Sequence, residues 1–460
     1  MNTETMLRDG MRSLAAQVAV PPMPEDFYDQ VRQRTRQRRL VSGVAVLVLA
    51  VALGTGLALR PPGGAGGRSN PVGAGSAAVG LPDRLYVPPL WTATVDQSAP
   101  GVAAAIFGGP ATTNNWDEGR FALVAAGDDD YRVFTDFIYT EPGVTALLSP
   151  NGELIARNRT VRALDPDRTL SISLPGDPVA FSPDGTLLAY VTGDDGPYDD
   201  GGAHQQSRIG VYDIERRVEI VSIDDTGNRD QAAVALSADN GSIAVQHSGT
   251  VRLYRTDTAR PAAYATIPLG TELLAGPAAW LPDGRSLTTV HRGSGETWRL
   301  VRYDGRTGER AAAVDLPALP GTRYVRVIGW RDDGSAVAVA GVPAAGTRVP
   351  DLFGDSPWIP DTAWDTGRVR LVALTPGAAE PTVLLETPDG IADLDVAADL
   401  AVAGQFRDAG RPDTGPLRSA FAVTAALLVI VVGAPLAGLV ARLRRRRIRT
   451  GTSTAGGGDG

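Results

Sequence analysis

The chain has 460 residues, a net charge of −8, no cysteine and no lysine, so all 44 basic residues are arginine. Without cysteine there is no disulfide, no thiolate metal site and no thiol nucleophile. Charge is segregated: residues 1–60 hold 8 Arg against 5 acids and 413–460 hold 7 against 2, which leaves 29 Arg, 45 acids and a net of −16 for 61–412. A middle that acidic excludes nucleic acid as a partner, because phosphate recognition needs a basic face.

At the N-terminal end, residues 3–19 place Leu7, Met11, Leu14 and Val18 along one stripe of a short helix, a candidate face for a cytoplasmic partner. So narrow a stripe builds no core, and a helix of about 17 residues is marginal alone in water. A solvated tether is the other reading. Segment 1–39 resembles the short cytoplasmic segments of actinobacterial membrane proteins associated with extracytoplasmic sigma factors. It lacks the His and Cys ligands of their zinc-binding anti-sigma domains. That resemblance implies a sigma factor or another regulator as partner.

Residues 40–59, LVSGVAVLVLAVALGTGLAL, carry no charge, and a helix of about 20 residues spans the hydrocarbon core of a bilayer. Arg32, Arg34, Arg36, Arg38 and Arg39 precede the run, so the positive-inside rule puts the N-terminus in the cytoplasm. A second uncharged run, 420–441, is followed by Arg442, Arg444 to Arg447 and Arg449, which puts the C-terminal end on the same side. Two transmembrane helices at the plasma membrane are expected, with both termini cytoplasmic and the middle extracytoplasmic. Residues 60–80 read as a flexible Gly-rich linker, and 442–460 as a basic, then disordered, cytoplasmic tail.

The middle repeats. Val179 to Tyr190, VAFSPDGTLLAY, is two apolar runs around a Ser-Pro-Asp-Gly turn, a hairpin signal with a mechanism. Pro183 presets φ, Asp184 can hydrogen-bond nearby backbone, and Gly185 tolerates positive φ. Related stretches are LLSPNGELIA (147–156), ALSADNGSIAV (235–245), AWLPDGRSLTTV (279–290), GWRDDGSAVAVA (329–340) and the degenerate LDVAADLAVAG (394–404). The 235–245 copy reads as one residue longer at its turn. Marked by Asn151, Asp184, Asp239, Asp283, Asp333 and Asp399, the intervals are 33, 55, 44, 50 and 66. A turnless pair, 101–109 with 119–126, stands as a seventh unit.

Each marker leads into further strand-like sequence, giving four strands per unit and no long amphipathic helix. Units of about 40–50 residues joined in a ring are propeller blades, because one four-stranded sheet cannot bury both its faces alone. The repeats resemble those of TolB-like and WD-like propellers, and LPDRLYVPPLW (81–91) resembles the first segment of actinobacterial membrane-anchored propellers. The expected fold is therefore all-β: a β-propeller of about seven four-stranded blades over 81–412, between two transmembrane α-helices. The last unit, 391–406, has room for two strands, so its outer strand should come from around Leu85 to Val95.

Chemistry is sparse. His204, His247 and His291 fall in three different units, and no Gly-x-Ser-x-Gly elbow, P-loop or dinucleotide fingerprint occurs. Asp128 to Asp130 and Asp194, Asp195, Asp199 and Asp200 lack the ordered spacing of a calcium loop. No catalytic, metal or cofactor residue is assigned. The insertion at 342–367 puts Phe353, Trp358 and Trp364 in a proline-rich loop, the best candidate contact surface for a protein partner or ligand. The expected function is non-enzymatic: extracytoplasmic binding, with sensing coupled to a cytoplasmic regulator as its specific form. A lyase or hydrolase with carboxylates in the central channel, or an envelope scaffold, are the alternatives.

Overall fold

The computed structural model of the chain describes residues 79–89, 92–112, 119–136, 146–165, 167–192, 208–224, 233–247, 249–293, 297–312, 315–346 and 366–412. After a two-residue strand β1 (Leu81–Pro82), the chain forms β2 (Ala103–Gly108), β3 (Gly119–Ala125) and β4 (Tyr131–Asp136). Blade 2 follows with β5 (Ala146–Leu148), β6 (Leu154–Arg157), β7 (Thr160–Ala163) and β8 (Ser171–Ser173). Blade 3 has β9 (Asp177–Phe181), β10 (Leu187–Thr192), β11 (Arg208–Asp213) and β12 (Val218–Asp224). Blade 4 has β13 (Ala233–Leu236), β14 (Ser242–His247), β15 (Thr250–Arg255) and β16 (Ala265–Pro268).

Blade 5 is built on β17 (Glu272–Leu274), β18 (Ser286–Gly293) and β19 (Thr297–Asp304), its fourth position reduced to the isolated bridges Trp298↔Leu319 and Tyr303↔Arg310. Blade 6 has β20 (Tyr324–Trp330), β21 (Ala336–Pro343), β22 (Thr366–Leu374) and β23 (Thr382–Glu386). The chain then returns to blade 1 with β24 (Asp393–Val396), makes a short helix α1 (Ala398–Val402), and forms β25 (Phe406–Arg407), the last element among the described residues. Each blade is an antiparallel meander, and the first strands of neighbouring blades approach one another, as β5 and β9 do, and β9 and β13. Apolar side chains from facing sheets fill the space between blades, so each sheet buries both faces against its neighbours.

Among the described residues there are six blades, which corrects the expected seven. The error lay in counting the first and last repeat units separately. The turnless pair of 101–109 and 119–126 and the degenerate Asp399 unit share one sheet, in the order β24-β2-β3-β4. Closure was expected to draw two strands from the C-terminal end. It draws one, because Ala398–Val402 turns into α1 where the other blades start their second strand, and β2 takes that place. Among the described residues, the stretch around Leu85 to Val95 contributes one bridge, Thr94↔Val133, on the outer flank of β4.

The expected two-span architecture is corrected as well. Among the described residues no helix is long and apolar enough to cross a membrane. The helix α1 has five residues, far short of the about 20 a crossing needs. The runs 40–59 and 420–441 lie outside the described residues; the described fold is an all-β propeller, and the expected pair of spans, with the plasma-membrane placement built on it, is not supported.

The turn that organises the repeat is locked from inside. In blade 3, Ser182 is fully buried; its Oγ accepts from Leu187 N–H at 2.9 Å and donates to Asp184 Oδ1 at 2.6 Å. Asp184 in turn accepts from Thr186 N–H at 3.1 Å, and Gly185 takes φ +71°. Ser149 with Asn151 in blade 2 and Ser237 with Asp239 in blade 4 repeat this pattern. The blade 4 turn is no longer than the others: Asn240, at φ +56°, occupies the left-handed position that Gly152 and Gly185 hold elsewhere.

Candidate functional site

The buried charged residues of the inner strands lie on β17, β20 and β24. Asp395 lies on β24 between Leu394 and Val396, and its carboxylate is buried between three blades. Its Oδ2 accepts from Leu148 N–H of blade 2 at 2.9 Å, while Arg326 of blade 6 places Nη2 3.7 Å from Oδ1. Burial raises the Asp395 pKa above the ordinary carboxylate value, against the opposing attraction of Arg326 and the Leu148 hydrogen bond. The same Arg326 Nη2 donates to Leu394 O at 2.6 Å. Gly276, at φ +128°, is what lets the Arg326 stem lie against blade 5, since a Cβ there would stand 2.7 Å from Arg326 Cγ.

Glu272 makes a second polar cluster, on β17 and within blade 5. Its Oε2 accepts from Thr289 Oγ1 at 2.6 Å and from Tyr303 OH at 2.9 Å, and Arg310 Nη2 lies 3.3 Å from Oε1. Burial first, then the Glu272 hydrogen bond, pushes the Tyr303 phenol up to about 12. His291 stands opposite Glu272 in the β17–β18 ladder. Gln246 of blade 4 performs the same office as Asp395, accepting from Leu274 N–H of blade 5 at 2.6 Å. Indole N–H groups join in: Trp280 donates to Ala235 O at 3.2 Å and Trp330 to Ala278 O at 2.8 Å, each across a blade boundary.

Asp395, Arg326, Gln246 and the two indoles staple blade to blade, while Glu272 ties the strands of blade 5 together. Among the described residues, no group of three or more His, Asp or Glu is placed to hold a metal ion. Two carboxylates of the acidic run Asp128 to Asp130 are committed to arginine, and the third, Asp128, accepts from Asp130 N–H at 3.0 Å. Asp130 takes both terminal nitrogens of Arg132, at 2.5 and 2.6 Å, and Asp129 takes Arg407 at 2.7 Å. The second acidic run, 194–200, and His204 lie outside the described residues, as do Phe353, Trp358 and Trp364 and the stripe Leu7, Met11, Leu14 and Val18. His247 ends β14, and its carbonyl accepts from Thr250 Oγ1 at 2.9 Å.

Sequence reasoning passed over Arg326, Asp395, Glu272 and Arg407. A signal for three of them was available: a charge inside an apolar inner strand, as in YVRVIGW, DLDV and TELLAG, conflicts with strand burial unless a partner waits elsewhere in the fold. Which partner waits is a matter of tertiary structure alone.

No family model matches the chain, and no curated protein matches it. Among solved structures, TolB from Acinetobacter baumannii is similar at 14% identity and TM-score 0.35, over 62% of this chain and 66% of that one. A putative TolB from Agrobacterium tumefaciens is similar at 14% identity and TM-score 0.34, over 63% and 90%. Hydrazine synthase of Kuenenia stuttgartiensis aligns at 16% identity and TM-score 0.33, over 53% and 65%. The chain thus spans just under two thirds of the hydrazine synthase chain and of the Acinetobacter TolB. What makes this chain a propeller is its six sheets.

Proposed function

We propose that this chain is a binding propeller, not an enzyme, and that it engages a protein or ligand partner through one face of the ring. The observation that carries the proposal is the commitment of the buried inner-strand charges: Asp395, Arg326 and Glu272 each answer to groups on their own or a neighbouring blade. Carboxylates held apart in that way do not form the converging acid–base pair that hydrolase or lyase chemistry needs.

Topology supports the choice of face. In a meander, first-to-second and third-to-fourth connections leave at one end, and second-to-third and fourth-to-next-first connections leave at the other. The first end carries the Ser-anchored turns of blades 2, 3 and 4. The other end is where 113–118, 137–145, 193–207, 225–232, 294–296 and 347–365 join their strands. In sequence these six connections hold fourteen acids against Arg229 and Arg348, together with Trp116, Phe137, Tyr139, Tyr198, Phe353, Trp358 and Trp364. Aromatic anchors among acidic groups suit a partner with a basic surface.

Phe353, Trp358 and Trp364 are the proposed contact residues. The finer form of the proposal adds a second contact, the Leu7, Met11, Leu14 and Val18 stripe, which docks on a regulator such as a sigma factor and couples binding to gene expression. Crosslinking with mass spectrometry, tracking 347–365 and 1–39 separately, tests both. Capture of a common partner by 347–365, lost when Trp358 and Trp364 are replaced by alanine, is the expected result. Equal capture by the double variant would reject the face. Unchanged gene expression on deleting 1–30 would reject the coupling and leave the face standing.

A further inference from the structure

The two places where the chain joins and leaves the ring are fastened to each other. β1 and β25 pair in parallel, Leu81 opposite Phe406 and Pro82 opposite Arg407. Leu81 N–H donates to Gln405 O and Asp83 N–H to Arg407 O, both at 2.8 Å, and Ala409 N–H donates to Asp83 Oδ1 at 2.9 Å. The strands run so close that a Cβ on Gly80 would stand 2.9 Å from Gln405 O.

Arg407 ties this pair to blade 1. Its Nη1 donates to Asp129 Oδ1 at 2.7 Å, Nη2 to Ala125 O at 3.1 Å and also to Asp128 O, and Nε to Ala126 O at 3.3 Å. Every one of these acceptors lies at the end of β3 or in the turn after it. The Arg407 side chain is 9% exposed, so these bonds are largely shielded from water. Gly410 completes the fit, since a Cβ there would overlap the Asp129 carboxylate.

Going back along the chain from Arg407, the next elements are α1 and then β24, the single strand by which the C-terminal end closes the ring. β24 is held by four pairs to β2 and by the Asp395 and Arg326 contacts. Any displacement of the segment after 407 away from the segment before 80 meets β1–β25 first. Because the pair is parallel, opposite pulls on its two ends act in shear, and its hydrogen bonds share the strain. Should it yield, α1 and β24 come next, and the inner edge of β2 is left without its partner.

We propose that the β1–β25 pair, locked by Arg407, is a clasp that keeps the propeller closed, and that its release opens the ring at blade 1. Hydrogen–deuterium exchange on the full chain tests this. In Arg407→Ala, amides of β24 and β2 should exchange about tenfold faster or more, while those of β13 to β16 in blade 4 keep their rate. Adjacent strands stand about 4.8 Å apart, within disulfide reach, and the chain has no other cysteine. An oxidised Leu81→Cys, Phe406→Cys pair should therefore restore protection of β24 in the Arg407→Ala background. Unchanged exchange at β24 in Arg407→Ala would overturn the proposal. If Arg407→Ala instead loosens every blade alike, the oxidised pair in the otherwise unaltered chain decides. Slower exchange at β24 then upholds the clasp, and an unchanged rate overturns it.

Discussion

Asp184 and Asp239 sit in exposed inner turns, each hydrogen-bonded by its own Ser two residues upstream. Asp395 sits on the inner strand of blade 1, buried, with its partners on two other blades. Both kinds of carboxylate hold hairpins and blades in place, yet their protonation answers to opposite causes. For Asp184, burial opposes ionisation but is outweighed by hydrogen bonds from Ser182, Thr186 and Asn240, and the pKa is lowered. For Asp239 the Ser237 hydrogen bond leads and the direction is the same. For Asp395 desolvation wins, and the pKa is raised. Local bonding therefore suffices for the turns, whereas the seam depends on contacts that exist only once the ring has closed.

The largest break in that contrast should come from Asp395→Ala. It leaves Arg326 without its buried countercharge and Leu148 N–H without an acceptor, and should cost about 3–5 kcal/mol in denaturant unfolding. Asp395→Asn keeps an acceptor and should cost clearly less. Equal losses in the two variants would show that charge, not the hydrogen bond to Leu148, holds the seam.

Next is Gly210→Ala, between β10 and β12, where the new methyl would overlap the Tyr190 ring that crosses over Gly210 to reach Glu219. Overpacking of this kind costs about 1–3 kcal/mol, read by thermal or denaturant unfolding. Ser182→Ala should cost about 1–2 kcal/mol, because the buried Leu187 N–H loses its side-chain acceptor while its turn stays short. Placing the same substitution at Ser149 and Ser237 should give similar losses if the turns are local units. Unequal losses would mean that contacts between turns, such as Asn240 to Asp184 at 2.7 Å, matter as much as the turn itself.

The smallest effect concerns pH. Asp184, Asp239 and Asp283 have lowered folded pKa values. Their contribution is present above the unfolded carboxylate value of about 4 and is lost as pH falls through the folded values. Asp395 has the opposite sign: its contribution is full below about 4 and declines as pH rises through its raised folded value. Stability measured against pH should therefore fall on acidification in the wild type. Asp395→Asn should gain relative to the wild type as pH rises above about 4. A constant difference between the two would remove the contrast between turns and seam.

The hairpins were legible because each is written in adjacent residues. Ser-Pro-Asp-Gly carries its own cap, its own turn and its own positive-φ position, so FSPDGTLLAY (181–190) announces β9, β10 and their turn without outside help. The substitution of Asn240 for glycine was misread as an added residue, because Asn-Gly offers two places for positive φ and only the backbone shows which is used. Blade 5 was expected to be four-stranded like every unit, yet among the described residues isolated bridges alone form along its outer side. The proposed contact aromatics were legible as composition, an unusual concentration of tryptophan in a proline-rich insertion. The stapling charges were not, since Arg326 and Asp395 are 69 residues apart in sequence and neither has a local partner that explains it.

By itself the sequence determined the repeating hairpin, the all-β propeller class and the acidic charge of the ring. Each of these follows from side-chain pattern and backbone preference within a few residues. Tertiary structure alone decided that seven repeat-like units make six blades, because a strand from residues 393–396 completes a sheet begun at residue 103. It also decided that Arg407 and Asp395, unremarkable in sequence, hold the ring shut. A closed ring must join its last element to its first, and no local signal in a linear chain records where those two ends meet.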